Sequence, residues 1–415
     1  MGTKMRNDIV EIKFEDMSRE LRSMIVYESN GAMDVETPQA LFDEILRTSP
    51  VVRWEMGVGF FKMEDIVAVA RHRNIVSCDP NTGEAMGMGS AEPLIPLHID
   101  GDIHKHYRKL LDPLFTPPKM KLLEPTIRAT ADQFIDGFIG AGQAEMYSAF
   151  CTPLPSTVFM QIFGLPLEDL DFLIEKKNRI LKNEGTSFEE REAIGRVEGL
   201  EMRAHLRKRL QERLSTGLRH DDLLDTFIHF EVDGHQLNED EIINIMHLFT
   251  IAGLDTVTSS LSCILAWFAK HPEERRRMID HPELLPAAVE ELMRYESPVP
   301  SGGHRTVTDD CEINGVPLRK GDVVYLCWAS ANVDPAAFES PHTVDLTREQ
   351  NRHIAFASGL HRCLGSHLAR IEIVAAIDQL HRRVSDYWVT PGAEVDYEFA
   401  GVRAANHLPL SFTAR

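Results

Sequence analysis

The sequence predicts a mainly α-helical protein with a small β portion, folded as a single domain across residues 1–415. Apolar residues recur at helical spacing along most of the chain, and the longest such run predicts a helix over about 238–270. Two short stretches instead alternate as strands do, and each contains a turn signal. No internal repeat and no Gly/Ser-rich linker divides the chain, so a second domain is not expected.

Local signals set the helix boundaries. Pro38 suits the first position of a helix, and Asn238 with Glu241 forms a capping box that opens the long helix. Pro117 and Pro118 are expected to separate two helices. In chain order, helices are predicted over 38–47, 63–72, 104–115, 119–140, 150–163, 167–182, 188–214, 238–270, 272–279, 284–296 and 364–383.

Turn residues predict the strands. Gly57 and Gly59 indicate a hairpin over 51–63, and Asn314-Gly315 indicates strands over 311–327. Residues 1–36 precede the first clear element and are expected to form a loosely packed N-terminal extension.

Composition narrows the class of protein. The chain carries 44 basic and 64 acidic residues, a net charge of −20, which argues against nucleic acid or an anionic membrane as the main partner. Its six scattered cysteines do not resemble a disulfide framework and favour a reducing cytoplasm. We find no signal peptide and no stretch of about 18 apolar residues, so no membrane span is expected.

The most informative segment is Phe356-Ala-Ser-Gly-Leu-His-Arg-Cys363-Leu-Gly365. It places Cys363 at the start of a predicted helix, where free N–H groups favour a thiolate. A thiolate is the ligand that lets a haem iron cleave dioxygen. A buried structural cysteine is the alternative for a lone residue, and a zinc site with His361 lacks two further ligands nearby.

Three other segments carry candidate chemistry. Ala252-Gly253-Leu-Asp255-Thr256 lies inside the long helix. A glycine lowers the stability of a helix, so its presence there suggests a packing or functional role. Asp255 and Thr256 would form a proton relay. A helix–helix contact at Gly253 is the alternative. Glu291 and Arg294 are three residues apart, so they lie on one helix face, and a solvated surface pair is the alternative interpretation. His104 and Arg108 are one turn apart, a spacing suited to a carboxylate or to a solvated face.

These segments, in this order, resemble the cytochrome P-450 family of soluble bacterial type, from about residue 37 to the end. The cysteine segment is similar to the family's cysteine loop, apart from Ala357 where the family often has glycine. The Glu291–Arg294 pair is similar to the family's core pair. Its usual third partner is an arginine in a Pro-x-Arg-Phe segment, which here reads Pro341-His-Thr-Val, so Arg348 or His342 is expected to substitute.

The resemblance implies a cytochrome P-450 fold, with heme b (iron protoporphyrin IX) between the long central helix and the cysteine-loop helix. It implies that Cys363 ligates the iron, that Thr256 orients dioxygen and that Asp255 helps deliver protons. It also implies that the haem propionates are held by His104, Arg108, Arg305 and His361.

The same resemblance implies a haem-thiolate monooxygenase that hydroxylates a lipophilic small molecule. No flavin or NAD motif is present, so ferredoxin and ferredoxin reductase are expected to supply electrons, with Lys105, Lys109, Arg362 and Arg370 as a docking patch. A haem peroxygenase or isomerase, and a non-catalytic haem-based ligand-binding protein, stay open as alternatives. The pocket is expected to involve Leu248, Ala252, Val299, Pro300, Ser301 and Gly401-Val402, beneath a lid over 85–97.

Overall fold

The computed structural model describes residues 8–18, 21–22, 36–55, 57–77, 88–182, 185, 187–302, 304–400 and 402–415. Helices dominate these residues, as the sequence predicts. They are α1 (Gln39–Thr48), α2 (Met63–Ala70), α3 (Gly101–Leu111), α4 (Pro117–Lys121), α5 (Glu124–Phe138), α6 (Pro153–Phe163), α7 (Leu170–Leu181), α8 (Phe188–Thr216), α9 (Leu223–His229), α10 (Glu239–Gly253), α11 (Thr256–Lys270), α12 (Pro272–Asp280), α13 (Leu285–Glu296), α14 (Trp328–Asn332) and α15 (Ser366–Arg383).

The strands form one mixed sheet and several small antiparallel sheets. They are β1 (Ile9–Glu11), β2 (Val51–Trp54), β3 (Gly57–Phe60), β4 (Ile75–Val76), β5 (Gln143–Glu145), β6 (Glu231–Val232), β7 (His235–Gln236), β8 (Arg305–Val307), β9 (Cys311–Ile313), β10 (Val316–Leu318), β11 (Val323–Leu326), β12 (Val384–Val389), β13 (Asp396–Ala400), β14 (Val402–His407) and β15 (Pro409–Ala414). The large sheet has the order β1-β2-β3-β11-β8-β4, and the smaller ones are β12-β15-β5, β9-β10, β13-β14 and β6-β7.

The largest core surrounds α11. Buried side chains of α5, α11, α13 and α15 form one apolar cluster, and α10 contributes to a second cluster with α3, α6 and α8. Ile264 and Leu265 of α11 and Ile373 and Ile377 of α15 all have no exposed surface. This burial fixes α15, and with it the cysteine loop that precedes it, against the central helix.

The long central helix is interrupted. Asn238 caps α10 with the predicted capping box, but the helix ends at Gly253 and resumes at Thr256 as α11. A Cβ atom at Gly253 would lie 2.7 Å from the Phe159 ring. The glycine therefore permits a close helix–helix contact, the alternative considered above, and it does so beside the break in the helix.

Residues 239–270 correct one expectation. By length and composition this helical stretch is apolar enough to cross a membrane, although the sequence was expected to contain no such stretch. Its most apolar window is 78% buried inside the protein, which is the pattern of a core helix.

Three boundaries also differ from the prediction. Pro117 and Pro118 begin α4 instead of separating helices, because the first helical turn tolerates proline. Helix α15 begins at Ser366, so Cys363 lies in the loop before it. Residues 9–11, expected in a loosely packed extension, form β1 against β2, and Met17 is 4% exposed.

Glu372 is a buried carboxyl group in α15. It is 4% exposed, and its Oε2 atom has no hydrogen-bond partner. Desolvation raises the pKa of Glu372 to about 8, from 4.5. A carboxyl group in this position therefore stays protonated in the folded protein at neutral pH.

Glu372→Gln is expected to remove a pH-dependent loss of stability. Between pH 4.5 and about 8 the unfolded chain ionises Glu372 while the folded chain does not, so stability falls by up to about 1.4 kcal/mol per pH unit. Urea unfolding should show the two proteins equal near pH 4 and the variant increasingly more stable toward pH 8. Exposed Glu283 provides the matched control, Glu283→Gln. A constant difference at all pH values would contradict the assignment.

Candidate active site

The cysteine loop leaves Cys363 exposed. The Cys363 N–H donates to the Phe356 carbonyl at 2.9 Å. Gly359 has a φ of +75°, and a Cβ atom there would lie 2.1 Å from the Ala70 carbonyl oxygen, so this turn requires glycine. Ala357 also has a positive φ, +58°, at a cost of about 1–3 kcal/mol. The departure from glycine at Ala357 is thus tolerated at an energetic cost.

Cys363 itself is exposed, while protein atoms surround it closely enough to desolvate it. Desolvation raises the pKa of the thiol, and the Gly365 N–H with Arg108 and the neighbouring arginines opposes that rise. The Gly365 N–H before α15 therefore favours the thiolate, while desolvation opposes it. A bound cation would favour the thiolate further, because a coordinating thiol is deprotonated outright.

Three of the predicted carboxylate-binding residues lie together beside this loop. The ring centroids of His104 and His361 are 4.5 Å apart, and Arg108 Nη1 donates to the Arg362 carbonyl at 3.0 Å. His361 Nε2 pairs with Asp100 Oδ1 at 2.9 Å. The cluster is therefore anchored on both α3 and the cysteine loop.

His104 lacks any partner for its ring nitrogens. It is 2% exposed, and neither nitrogen makes a hydrogen bond. Burial lowers the pKa of His104 to about 4, with the charges of His361 and Arg108 acting in the same direction, so the ring is neutral with one N–H. An unpaired buried donor costs about 1–3 kcal/mol. The position therefore requires an acceptor that the chain does not supply.

Arg305 lies on β8 and is 6% exposed. Sequence reasoning missed its neighbour His98, whose Nδ1 accepts the Leu94 N–H at 3.3 Å. Burial lowers the pKa of His98 to about 3, and the charges of Arg305 and His361 contribute to the shift. His98 therefore belongs to the same electrostatic cluster. No motif in the sequence marks it, because it lies in an irregular segment before α3.

These residues fit a haem. Cys363 is exposed and would be accessible as an iron ligand, and a propionate carboxylate would supply the acceptor that His104 lacks. Arg108 and Arg305 provide guanidinium groups suited to carboxylates. The cluster thus matches the donor set that the resemblance implies.

The central helix is partly exposed at its interruption. Ala252 is exposed and Thr256 half-buried, although most of α10 and α11 is buried. The Thr256 hydroxyl donates to the Ala252 carbonyl at 3.1 Å, a carbonyl that the break in the helix leaves available. A small ligand therefore has both space and a hydroxyl group at this point of the helix.

Asp255 does not bond to Thr256. Its Oδ1 accepts Lys177 Nζ at 2.7 Å, with both side chains about 5% exposed, while its Oδ2 has no partner. Sequence reasoning missed Lys177. Lys177 follows Lys176, which pairs with Glu198 at 2.7 Å. The sequence alone does not show which of the two lysines faces Asp255.

The Glu291–Arg294 pair is buried and has a third partner. Arg294 Nε and Nη2 each donate to the Glu291 carboxylate at 2.8 Å, and neither side chain is exposed. Arg348 Nε donates to Glu291 Oε2 at 3.0 Å. His342 faces Asp43 instead. Of the two substitutes expected from the sequence, the structure therefore places Arg348 in the core.

The predicted pocket and lid are partly described. Leu248, Pro300 and Ser301 are buried, Val299 and Val402 are half-buried, and Gly401 and residues 85–87 lie outside the described residues. The described part of the lid is bonded to α10: His247 Nε2 donates to the Met88 carbonyl at 2.7 Å, and Asn244 Oδ1 accepts the Ile95 N–H at 2.7 Å. That these residues form a mobile lid stays a prediction.

Comparisons with known proteins agree with this geometry. The family model described as Cytochrome P-450 matches residues 200–384. A probable cytochrome P-450 127A1 of Sinorhizobium fredii is 32% identical over 80% of this chain and 75% of its own length. A methyl-branched lipid omega-hydroxylase of Mycobacterium tuberculosis is 30% identical over 86% of this chain and 87% of its own.

A solved structure shows the same fold. It is the crystal structure of the cytochrome P-450 BioI in complex with an acyl carrier protein ligated to hexadec-9Z-enoic acid. It superposes with a TM-score of 0.82 at 28% identity, and covers 90% of this chain and 98% of that one. The chain therefore belongs to the cytochrome P-450 family, has heme b as its cofactor and is a monooxygenase.

Proposed function

We propose that this protein hydroxylates a lipophilic small molecule, using dioxygen and two electrons from a separate ferredoxin-type donor in the cytoplasm. The observation that carries the proposal is the cysteine loop, in which Cys363 is exposed beside the cluster of His104, Arg108 and His361. The predicted substrate pocket is largely apolar, with Leu248, Val299 and Pro300 as examples. The relatives named above act on a methyl-branched lipid or hold a fatty acyl group, which favours a lipid-like substrate here.

Each site residue receives a role in this proposal. When bound, haem supplies the activation of dioxygen, which no side chain provides. Cys363 would hold the iron, and propionates would be held by His104, Arg108, Arg305 and His361. The apolar lining excludes water and orients the substrate, because it offers few polar contacts.

Asp255 and Thr256 would handle the protons. The Thr256 hydroxyl, now bonded to the Ala252 carbonyl, would pass a proton from its Oγ1 toward the haem site. The carboxylate of Asp255, with one oxygen on Lys177 and the other unpaired, would first take up a proton from Lys177 Nζ or from solvent and would then give it to Thr256 Oγ1. Such a transfer requires Asp255 to leave Lys177, since the two oxygens of Asp255 are buried.

Thr256→Ala tests this relay. We expect substrate binding to persist and product formed per electron pair to fall about tenfold or more, because general acid–base groups contribute at least that much. The measurement compares NADH consumed with product formed, with ferredoxin and ferredoxin reductase supplied. Thr256→Ser retains the hydroxyl and serves as the matched control. An unchanged ratio in the alanine variant would rule out the relay.

Substrate class is tested by a ligand screen with fatty acids, steroids and terpenoids. Binding is read from the shift of the haem absorption band, and turnover is then measured with the electron donors. Hydroxylated product from at least one lipophilic class is expected. Turnover with peroxide alone would favour a peroxygenase, and no oxidation of any bound compound would favour a non-catalytic haem protein.

The electron donor is proposed to dock near Arg362. This residue is exposed beside Cys363 and makes no ion pair within the described ranges. The other residues of the predicted basic patch are paired: Lys105 with Asp102, Lys109 with Asp233 and Arg370 with Glu290. These ion pairs reduce the electrostatic attraction that the full basic patch would exert on the electron donor.

Arg362→Glu is expected to slow electron transfer from ferredoxin about tenfold at low ionic strength, because charge steering accelerates association by about 10–10³-fold. The loss should shrink as salt is added. Stopped-flow reduction at several salt concentrations measures it. Lys320→Glu, at an exposed position between β10 and β11, is the control. Equal rates and salt slopes for wild type and Arg362→Glu would refute docking at this position.

A further inference from the structure

Helix α8 carries an apolar stripe on its outer face. Ala193, Val197, Leu200 and Ala204 follow one another at spacings of four, three and four residues, which places them on one side of a helix. All four are exposed, Val197 at 56% and Leu200 at 67%. Single exposed apolar residues are ordinary, but a continuous stripe along a helix is the pattern of an interface.

The opposite face of α8 packs within the chain. Met202, Leu206 and Leu210 have no exposed surface and belong to the apolar core. On the same side, a Cβ atom at Gly199 would lie 1.8 Å from the Gly89 carbonyl oxygen. The outer stripe is therefore not needed to fix α8 in the monomer.

Charges flank the stripe in a self-complementary order. Glu189 and Glu190 lie in the first turn of α8, while Arg207 and Lys208 lie in its C-terminal half. Within the monomer Arg207 pairs with Asp240 at 2.7 Å and Lys208 with Glu212 at 3.8 Å, so in the dimer each of these cations would be shared with a second carboxylate. At 100° per residue, Glu189 and Arg207 flank the stripe on one side, and Glu190 and Lys208 flank it on the other. An acidic end and a basic end thus lie about 27 Å apart along the helix, with the apolar stripe between them.

An antiparallel pair of α8 helices satisfies both patterns at once. With the two-fold axis between residues 198 and 199, Val197 meets Leu200 of the second copy, and Ala193 meets Ala204. The same register brings Glu189 near Arg207, and Glu190 near Lys208, on matching flanks. A parallel pair would instead bring like charges together.

We propose that this face of α8 is a homodimer interface, in which two copies of the chain pair antiparallel about a two-fold axis. Such an isologous contact closes on itself and does not extend into a filament. One helix from each copy buries a small area, so the dimer is weak and depends on concentration. A lipid surface suits the stripe less well, because an anionic headgroup layer would repel Glu189 and Glu190.

Sedimentation velocity on the full-length haem-loaded protein, over about 1–100 µM, tests the proposal in the range of weak association. We expect the wild type to shift from monomer to dimer. Val197→Glu with Leu200→Glu should remain monomeric throughout, because the pairing would bury four carboxylates. Leu122→Glu is the matched control, since Leu122 is 78% exposed on another part of the chain and its change should leave the dimer intact.

Charge reversal tests the register. Glu189→Lys with Glu190→Lys makes one variant basic at both ends of the stripe, and Arg207→Glu with Lys208→Glu makes another acidic at both ends. Each alone should dimerise less than wild type, whereas an equimolar mixture should recover a heterodimer. The reduced, carbonyl-saturated absorption spectrum checks that each variant is folded and holds haem.

A wild type that stays monomeric at every concentration would overturn the proposal. So would a dimer that survives Val197→Glu with Leu200→Glu, a mixture of charge variants that fails to pair, or binding of the wild type to anionic vesicles in place of self-association. The inference does not depend on the substrate or on electron transfer, because the sedimentation experiment measures only whether the protein is a monomer or a dimer.

Discussion

Cys363→Ser is expected to abolish monooxygenase activity and the red-shifted Soret band of the reduced, carbonyl-saturated protein. That band reports a thiolate opposite carbon monoxide, and a serine hydroxyl does not supply the same electron donation. The chain raises the pKa of the Cys363 thiol through desolvation, so the sulfur depends on the iron for its charge. The fold should persist, because an exposed site changes stability by less than about 0.5 kcal/mol.

Cys311→Ser is the matched control for this experiment. Cys311 is a free, half-buried cysteine on β9, and its replacement should leave both the Soret band and turnover intact. Absorption spectra and product formation are measured on all three proteins. Persistence of the red-shifted band in the Cys363 variant would refute the assignment of Cys363 as the ligand and, with it, the proposed chemistry.

Glu291→Ala is expected to destabilise the protein by about 3–5 kcal/mol, because it leaves the Arg294 guanidinium buried without its carboxylate. Glu291 also accepts the Asp345 N–H at 3.0 Å, Arg348 Nε at 3.0 Å and Asn351 Nδ2 at 3.1 Å. These groups would lose their acceptor together. The segment after α14 that leads into the cysteine loop should loosen, so haem should dissociate faster.

Urea unfolding and transfer of haem to an apoprotein acceptor measure these two effects. Exposed Glu283, which faces His281 at 3.2 Å, lies just before α13, and Glu283→Ala should change stability by less than about 0.5 kcal/mol. A loss in Glu291→Ala as small as that of the control would show that the buried pair does not hold the loop.

The cysteine segment and the central helix show which features of the site can be predicted from local sequence. Gly359 was part of the motif, and the structure explains its spacing through the positive φ and the contact with Ala70. The capping box at Asn238 set the start of α10. The role of Arg348 was left open, because two candidate cations, His342 and Arg348, follow Pro341 within seven residues. Only the packing of that segment onto α13 distinguished them.

The positions of His98 and Lys177 in the site could not be predicted from local sequence. Each is a common residue type in an unremarkable segment, and each becomes relevant through neighbours more than 70 positions away, such as Asp255 for Lys177. The desolvation of the Cys363 thiol could not be predicted for a related reason. Desolvation around Cys363 depends on all the atoms that enclose it, whereas the sequence shows only the turn before α15.

The sequence by itself determined the helical class, the cysteine loop, the motif in the central helix and the family, because these depend on residues within a few turns of one another. The tertiary structure alone decided which polar groups are buried without partners, which lysine faces Asp255 and which face of α8 remains exposed. Burial and long-range pairing arise from the packing of distant segments, and the free energy of a charge or a hydrogen bond depends on that packing.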